Sequence, residues 1–474
     1  MDRYCRFICA LLLFSVCGCS RAEGPATPAA SAQAPSTPAP TALDEYVARE
    51  EPNYKWQKEG EQAAEQGRVT TLKLVSQTWQ GKEWTHRVEI VRPAKVEFPD
   101  TALVLISFGT SPNNPVSQLL ARQIGAAVIS VSEVPSQPLF NRREDALIAY
   151  SFQKYLETGD KTWPLLLPMT KAVIKAIDAA EEHSRQEDDK PLTKFIVAGV
   201  SKRGWTSWLV AAADSRVHPG RIAGIIPLVY NNLNIPKQMP HQLESWGKYS
   251  EMIGDYTALG LQDQIGASRG KELIALVDPY FYRDRLTMPK LLINGSNDRY
   301  WTPDATRFYL NDLPGSTSMY IAPNAGHNLG SDLTNVLSTM AAWFRLVVAK
   351  QPVPTLSTKP AVWNDKRTVL SGPKFFIDSH GVQIKYKTRL WEAYSDTRDL
   401  RSAKWRSSDL DEGQQKFDLS MSYSVGLGAP GSKMYNCMAY FTEMEVLKSD
   451  EPTLRLSSPI TIYEGGKLDK PTHQ

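Results

Sequence analysis

The chain is poor in cysteine, in histidine and in charge of one sign. Of five cysteines in 474 residues, four (Cys5, Cys9, Cys17 and Cys19) crowd the extreme N-terminus, and Cys437 stands alone in the rest. That distribution excludes a disulfide framework and a cysteine-based zinc site. The seven histidines offer no pair at metal-ligand spacing on one helix, so no metal is expected, and no cofactor. Lys and Arg total 54 against 51 Asp and Glu, leaving a net charge of +3. Without a concentrated basic excess, nucleic acid is not an expected partner. Hydrophobic residues at 42% and charged residues at 22% exclude a disordered chain and a polytopic membrane protein.

The N-terminal cysteines fit an export signal. Arg3 and Arg6 precede the apolar run Phe7–Val16, which is too short to cross a bilayer but suits a secretory signal. The run ends in Val16-Cys17-Gly18-Cys19, which resembles a bacterial lipobox. Residues 1–18 are then a lipoprotein signal peptide, and Cys19 carries a lipid that anchors the protein to a membrane. Ser20 fits sorting to the outer membrane, facing the periplasm; the alternative is cleavage that frees a soluble periplasmic or secreted protein. Residues 19–43 are rich in Ala, Pro, Ser and Thr and read as an extended linker.

Residues 44–350 alternate strand and helix. Leu72–Trp79 and Trp84–Val91 alternate in period 2, as an antiparallel entry hairpin does. Short apolar runs follow at Ala102–Phe108, Ala126–Val131, Phe195–Ala198, Ile222–Val229, Leu291–Ile293 and Ser318–Ile321. Such runs suit parallel strands covered on both faces. Helical spacing marks Thr170–Glu182, Ser201–Ala213 and Thr334–Val348. The expected fold is a doubly wound α/β sheet. Residues 232–288 are too long for a simple connection and read as a helical cap, with helices over Leu243–Ile253 and Gly270–Val277.

Chemistry is expected at Gly199-Val200-Ser201-Lys202-Arg203-Gly204, where an apolar strand runs into Gly-x-Ser and then a helix. This is the layout of a nucleophile elbow, although Arg203 occupies the place of the usual second glycine and Gly204 comes one residue later. A serine nucleophile needs a base, and the base needs an orienting acid. Asp298 and His327 each follow a strand, in the chain order Ser, Asp, His, separated by 97 and 29 residues. Asp278 and Asp304 are rival acids, but Asp278-Pro279 reads as a turn. The oxyanion hole is expected from the backbone of Lys202 and of Gly109 or Thr110. Gln137 and Arg203 are weaker candidates for substrate contact, Arg203 reading more simply as part of a structural ion pair.

The chain resembles the PhoPQ-activated pathogenicity-related protein family. The resemblance rests on Val134-Pro-Ser-Gln-Pro-Leu139, Gly199-Val-Ser-Lys-Arg-Gly-Trp205 and Val277-Asp-Pro-Tyr-Phe-Tyr-Arg-Asp-Arg-Leu286. It continues through Met288–Trp301, Pro323-Asn-Ala-Gly-His327 and Leu390–Trp405. It implies an α/β-hydrolase fold, export and a link to virulence or signalling, and it makes Arg203 a family feature. It supplies no substrate. The elbow also resembles that of glucuronoyl esterases, which keeps a carbohydrate-acid ester open as a substrate.

Past residue 354 the texture changes. Phe417–Val425 alternates strictly, and Val382–Lys387, Met438–Val446, Leu454–Leu456 and Ile460–Tyr463 also read as strands. Residues 355–474 are expected to form a small antiparallel β-sandwich that packs on the hydrolase or offers a surface to a protein partner. The preferred function is an exported serine hydrolase acting on an ester, amide or peptide bond of a small molecule or peptide. The competing reading is a non-catalytic binding or signalling protein on the same scaffold.

Overall fold

The computed structural model describes residues 39–64, 67–107, 109, 114–359, 362–363, 370–415, 419–425, 436–447 and 452–464. The signal segment, Cys19 and nearly all of the linker lie outside these residues, as does Thr110.

A nine-stranded sheet organises the α/β part. Its strands are β1 (Lys55–Ala64), β2 (Gly67–Trp79), β3 (Lys82–Pro93), β4 (Phe98–Ile106), β5 (Ala126–Val131), β6 (Lys194–Val200), β7 (Ile222–Leu228), β8 (Lys290–Gly295) and β9 (Thr317–Ala322). They lie in the order β1-β2-β3-β5-β4-β6-β7-β8-β9. The strands from β5 to β9 pair in parallel, and β3 joins β5 antiparallel. Apart from the extra edge strand β1, this is the strand order of an α/β-hydrolase. β1 escapes sequence reading because its side chains are nearly all exposed and show no alternation. By contrast, every residue of β5 and β8 is buried, which is why those strands read as unbroken apolar runs.

Helices cover both faces. α1 (Ala42–Ala48) precedes the sheet and is closed by a capping box between Thr41 and Asp44. α2 (Pro115–Ile124), α3 (Glu144–Thr158), α4 (Leu166–Glu187) and α5 (Lys202–Val217) follow within it. One core cluster joins α4 and α5 to residues such as Val104 and Ile129; the other joins α2 to Leu103 and Val128. Adjacent strand residues thus serve opposite faces, as the period of two requires. Each fully buried Leu, Ile or Val contributes about 1.5–3 kcal/mol.

Between β7 and β8 lies the cap, built from α6 (Ile235–Trp246), one-turn α7 (Gly254–Thr257), α8 (Ser268–Val277) and short 3₁₀ turns. The helix expected at Leu243–Ile253 instead ends at Trp246. Gly247 takes φ 68° and caps α6 with its N–H on the Leu243 carbonyl, and a separate 3₁₀ turn starts after Ser250. α9 (Leu333–Val348) closes the sheet on the α2 side.

The remaining strands form two antiparallel sheets. One holds β10 (Thr355–Lys359), β11 (Val362–Trp363), β12 (Leu370–Asp378) and β15 (Leu419–Val425). The other holds β13 (Ile384–Ser395), β14 (Arg406–Gln415), β16 (Cys437–Leu447), β17 (Leu454–Ser457) and β18 (Thr461–Glu464). The second sheet is welded to the α/β part. Met444, Val446 and Leu456 join the core of α9, and Trp405 and Phe441 join that of α4 and α5. The Asn324 side chain brackets Trp405, accepting from its N–H at 2.8 Å and donating to its carbonyl at 3.0 Å. Among the described residues no helix is long and apolar enough to cross a membrane.

Candidate active site

Ser201 occupies the junction of β6 and α5 with φ 60° and ψ −125°. A non-glycine residue rarely holds a positive φ, and such strain costs on the order of 1–3 kcal/mol. Neighbouring contacts fix it: the Ser201 N–H donates to the Leu228 carbonyl at 2.8 Å, and the Ser201 carbonyl accepts from Trp205 at 2.9 Å. The two glycines have different neighbours. A Cβ on Gly199 would lie 2.3 Å from the Arg203 carbonyl oxygen. A Cβ on Gly204 would lie 2.9 Å from the carbonyl oxygens of both Gly199 and Leu228. Helix α5 therefore meets the sheet closely at position 204, and position 203 is left able to carry a long side chain.

His327 and Asp298 meet. His327 Nδ1 lies 2.8 Å from Asp298 Oδ2, and Asp298 Oδ1 accepts the Tyr300 N–H at 2.8 Å. The Tyr300 ring stacks on the His327 ring with centroids 4.0 Å apart. The imidazole is thus held on its face and at one nitrogen, while Nε2 is buried and has no hydrogen-bond partner. Sequence reading missed Tyr300; its place two residues after the orienting acid was the only signal. Burial raises the Tyr300 phenol to about 12, so it remains protonated and neutral at ordinary pH.

Ser201, Lys202, Tyr300 and Trp301 line one cavity of about 90 Å³ beneath the cap. Tyr300 thus links His327, on which it stacks, to the wall that Ser201 lines. No hydrogen bond joins Ser201 Oγ to His327 Nε2 in this state. Such contacts are often long without substrate and tighten when it binds.

The Lys202 N–H opens α5, where first-turn N–H groups lack intrahelical acceptors and the helix dipole favours negative charge. Gly109, the other described oxyanion candidate, has its N–H on Ser107 Oγ at 3.3 Å. Its place after β4 suits a second donor once that weak bond is exchanged for substrate.

The basic residues of the elbow turn inward onto acids. Arg203 donates to Glu144 through both terminal nitrogens, at 2.8 and 2.7 Å, and through Nε to the Val134 carbonyl at 2.9 Å. Lys202 Nζ sits 2.9 Å from Glu144 and 3.0 Å from Asp145. Gln137 clasps the same residue, accepting the Glu144 N–H at 2.8 Å and donating to Glu144 Oε1. Arg203 thus sits in a structural ion pair, its simpler reading. Gln137, the other weak candidate for substrate contact, is bonded to Glu144, and neither residue lines the cavity. Burial alone would raise the Glu144 pKa, but the Arg203 bonds and the Lys202 charge outweigh it and hold the carboxyl at about 2. Glu144 was not singled out from sequence, where it looks like an ordinary acidic start to α3.

The rival acids have other partners. Asp278 is fully buried, accepts the N–H groups of Asn234, Ile235 and Tyr280, and anchors the start of the cap. Burial pushes it up to about 7 against those bonds. Asp304 holds His241 Nε2 at 2.9 Å and Arg398 at 2.9 Å, tying α6 to the C-terminal part.

The chain is 31% identical over 466 residues to autocrine proliferation repressor protein A of Dictyostelium discoideum, covering 89% of this chain and 90% of that one. Among solved structures it is similar to acetyl xylan esterase 1 from Thermoanaerobacterium sp., at 15% identity and TM-score 0.44, covering 66% of this chain and 95% of that one. It is also similar to an S-formylglutathione hydrolase from Agrobacterium tumefaciens, at 14% identity and TM-score 0.41, covering 62% and 100%. The model of the PhoPQ-activated pathogenicity-related protein family matches residues 43–401, and the chain belongs to that family.

Proposed function

We propose that the protein is a serine hydrolase that cleaves an ester, amide or peptide bond through an acyl-enzyme. Ser201 Oγ attacks the carbonyl carbon and its proton passes to His327 Nε2. Asp298 holds the imidazole by Nδ1 and stabilises its charged form. The oxyanion that forms is met by the Lys202 N–H and by a donor at Gly109. When the tetrahedral intermediate collapses, the leaving group takes the proton from His327. Water then gives its proton to His327, attacks the acyl carbon, and releases the acid and the free serine. The observation that carries the reading is His327, with Nδ1 fastened to a carboxylate and Nε2 buried without a partner.

A fluorophosphonate probe tests it. The folded protein is expected to label, and Ser201→Ala to abolish the label. Equal labelling of both would remove Ser201 from the role, and no labelling of either would favour a binding or signalling protein on this scaffold. The acidic-substrate alternative finds less support, because Lys202 and Arg203 already face Glu144 and Asp145.

Export as a lipoprotein anchored through Cys19, a protein partner for the C-terminal strands and a link to virulence remain parts of the proposal. Metabolic labelling with a palmitate analogue checks the first: Cys19→Ala is expected to lose the label and leave the membrane fraction.

A further inference from the structure

We infer that the cavity beside Ser201 accepts an uncharged, predominantly apolar group of the substrate, an aliphatic or aromatic acyl chain, and discriminates against a charged one. This rests on the hydrolase reading above, but on different observations. The cavity runs from the elbow to the cap, and its walls include Phe152, Trp205, Ile235, Met239, Leu273 and Ile274. Among the described residues Asp145 and Lys202 are the only charged ones that line it, and each is already satisfied. They pair with each other at 3.0 Å; Lys202 also pairs with Glu144, and Asp145 accepts from the Tyr256 hydroxyl at 3.1 Å. With Arg203 on Glu144, the group holds two cations and two anions. A charged substrate group would lose water on entering and meet no uncompensated partner, a net cost. An apolar chain would lose only the water that opposes burial.

Both the elbow and the cap feed this cavity, which explains an otherwise odd economy. Lys202 offers its backbone N–H to the reaction while its side chain cancels Asp145 on the wall. The polar lining that remains is mostly neutral, with the buried Oδ1 of Asn232 lacking a hydrogen-bond partner. A neutral donor on the apolar group would find that acceptor.

The test compares p-nitrophenyl esters of acetate, butyrate and hexanoate with the six-carbon adipate monoester, which ends in a carboxylate. Each buried methylene is expected to raise kcat/KM about fourfold, and hexanoate to exceed adipate by at least tenfold. Ile274→Phe, which fills the wall, should lower the ratio of hexanoate to acetate turnover. A second readout does not need catalysis: neutral 1-hexanol should bind to Ser201→Ala and to the parent alike, with saturable change in tryptophan fluorescence, and hexylammonium should not. Flat chain-length dependence, adipate equal to hexanoate, or an unchanged ratio in Ile274→Phe would overturn the inference while fluorophosphonate labelling left the hydrolase reading intact. Hexanol binding without labelling would do the reverse.

Discussion

Among the described residues His327 and His241 each pair with an aspartate, and the two imidazoles are held differently. At the candidate site His327 gives Nδ1 to Asp298, keeps Nε2 without a partner, and stacks on Tyr300, which lines the same cavity as Ser201. In the cap His241 uses one nitrogen for both partners, with Asp304 at 2.9 Å and Ser245 at 3.4 Å from Nε2, while Nδ1 faces Glu244. A base must take a proton at one nitrogen while the other is oriented. His241 has a carboxylate at each nitrogen, so neither is left for that task. Ser245, unlike Ser201, does not line the cavity, and it starts from ordinary helical backbone inside α6. Composition of a cluster therefore says little; which ring nitrogen faces which partner says what the cluster does.

The sharpest way to break that distinction is to remove each acid. Asp298→Asn is expected to lower kcat by about 10³- to 10⁴-fold, since the imidazole loses its tautomer and its charge partner, with little change in stability. Asp304→Ala is expected to do the opposite. It removes the nearer carboxylate from the buried Arg398 guanidinium, leaving Glu464 at 3.5 Å, and costs about 3 kcal/mol, while the protein that remains folded still labels with fluorophosphonate. Ester turnover and urea unfolding on both variants decide it. Loss of labelling in folded Asp304→Ala would make the cap cluster part of the reaction.

The candidate-site residues were legible because each stands just past a parallel strand, and those strands announce themselves as buried apolar runs. Ser201, Asp298 and His327 could be placed from sequence order alone. Glu144 could not. It lies 59 residues from Arg203, and its importance comes from three partners that only the folded chain assembles, Gln137, Lys202 and Arg203. Its own φ of 50° marks it as a constrained residue, yet nothing in Arg143-Glu144-Asp145 signals this. The displaced glycine of the elbow was likewise readable only as a departure. Its reason, the approach of Gly204 to two carbonyl oxygens, belongs to packing.

Glu144 offers a subtler contrast, because it supports the elbow without touching substrate. Glu144→Gln keeps the shape but removes the charge that faces Arg203 and Lys202. With 36% of the Glu144 side chain exposed, the stability loss should be about 1–3 kcal/mol. Loosening Lys202 should also lower kcat about tenfold through its oxyanion N–H, with KM little changed. The folded pKa of about 2 lies below the unfolded value, so this stabilisation is complete above about pH 4.5. The gap in Tm between parent and variant should hold constant there and close as pH falls toward 2. A gap that instead opened near neutral pH would mean that another group controls the elbow.

The smallest expected effect falls on Ser245, the residue that makes the cap cluster look like a triad. At 3.4 Å its hydroxyl makes a long contact with His241 Nε2, which Asp304 already satisfies at 2.9 Å. Removing a weak hydrogen bond whose donor, the Nε2–H, keeps a better acceptor costs at most about 1 kcal/mol. Ser245→Ala should therefore unfold within about 1 kcal/mol of the parent, label at the same rate, and hydrolyse the same esters. Paired with Ser201→Ala, it isolates geometry from residue type, because the same atoms are removed from two serines near two histidines. A fall in labelling for Ser245→Ala comparable to that of Ser201→Ala would overturn the assignment of one cluster to chemistry and the other to fastening the cap.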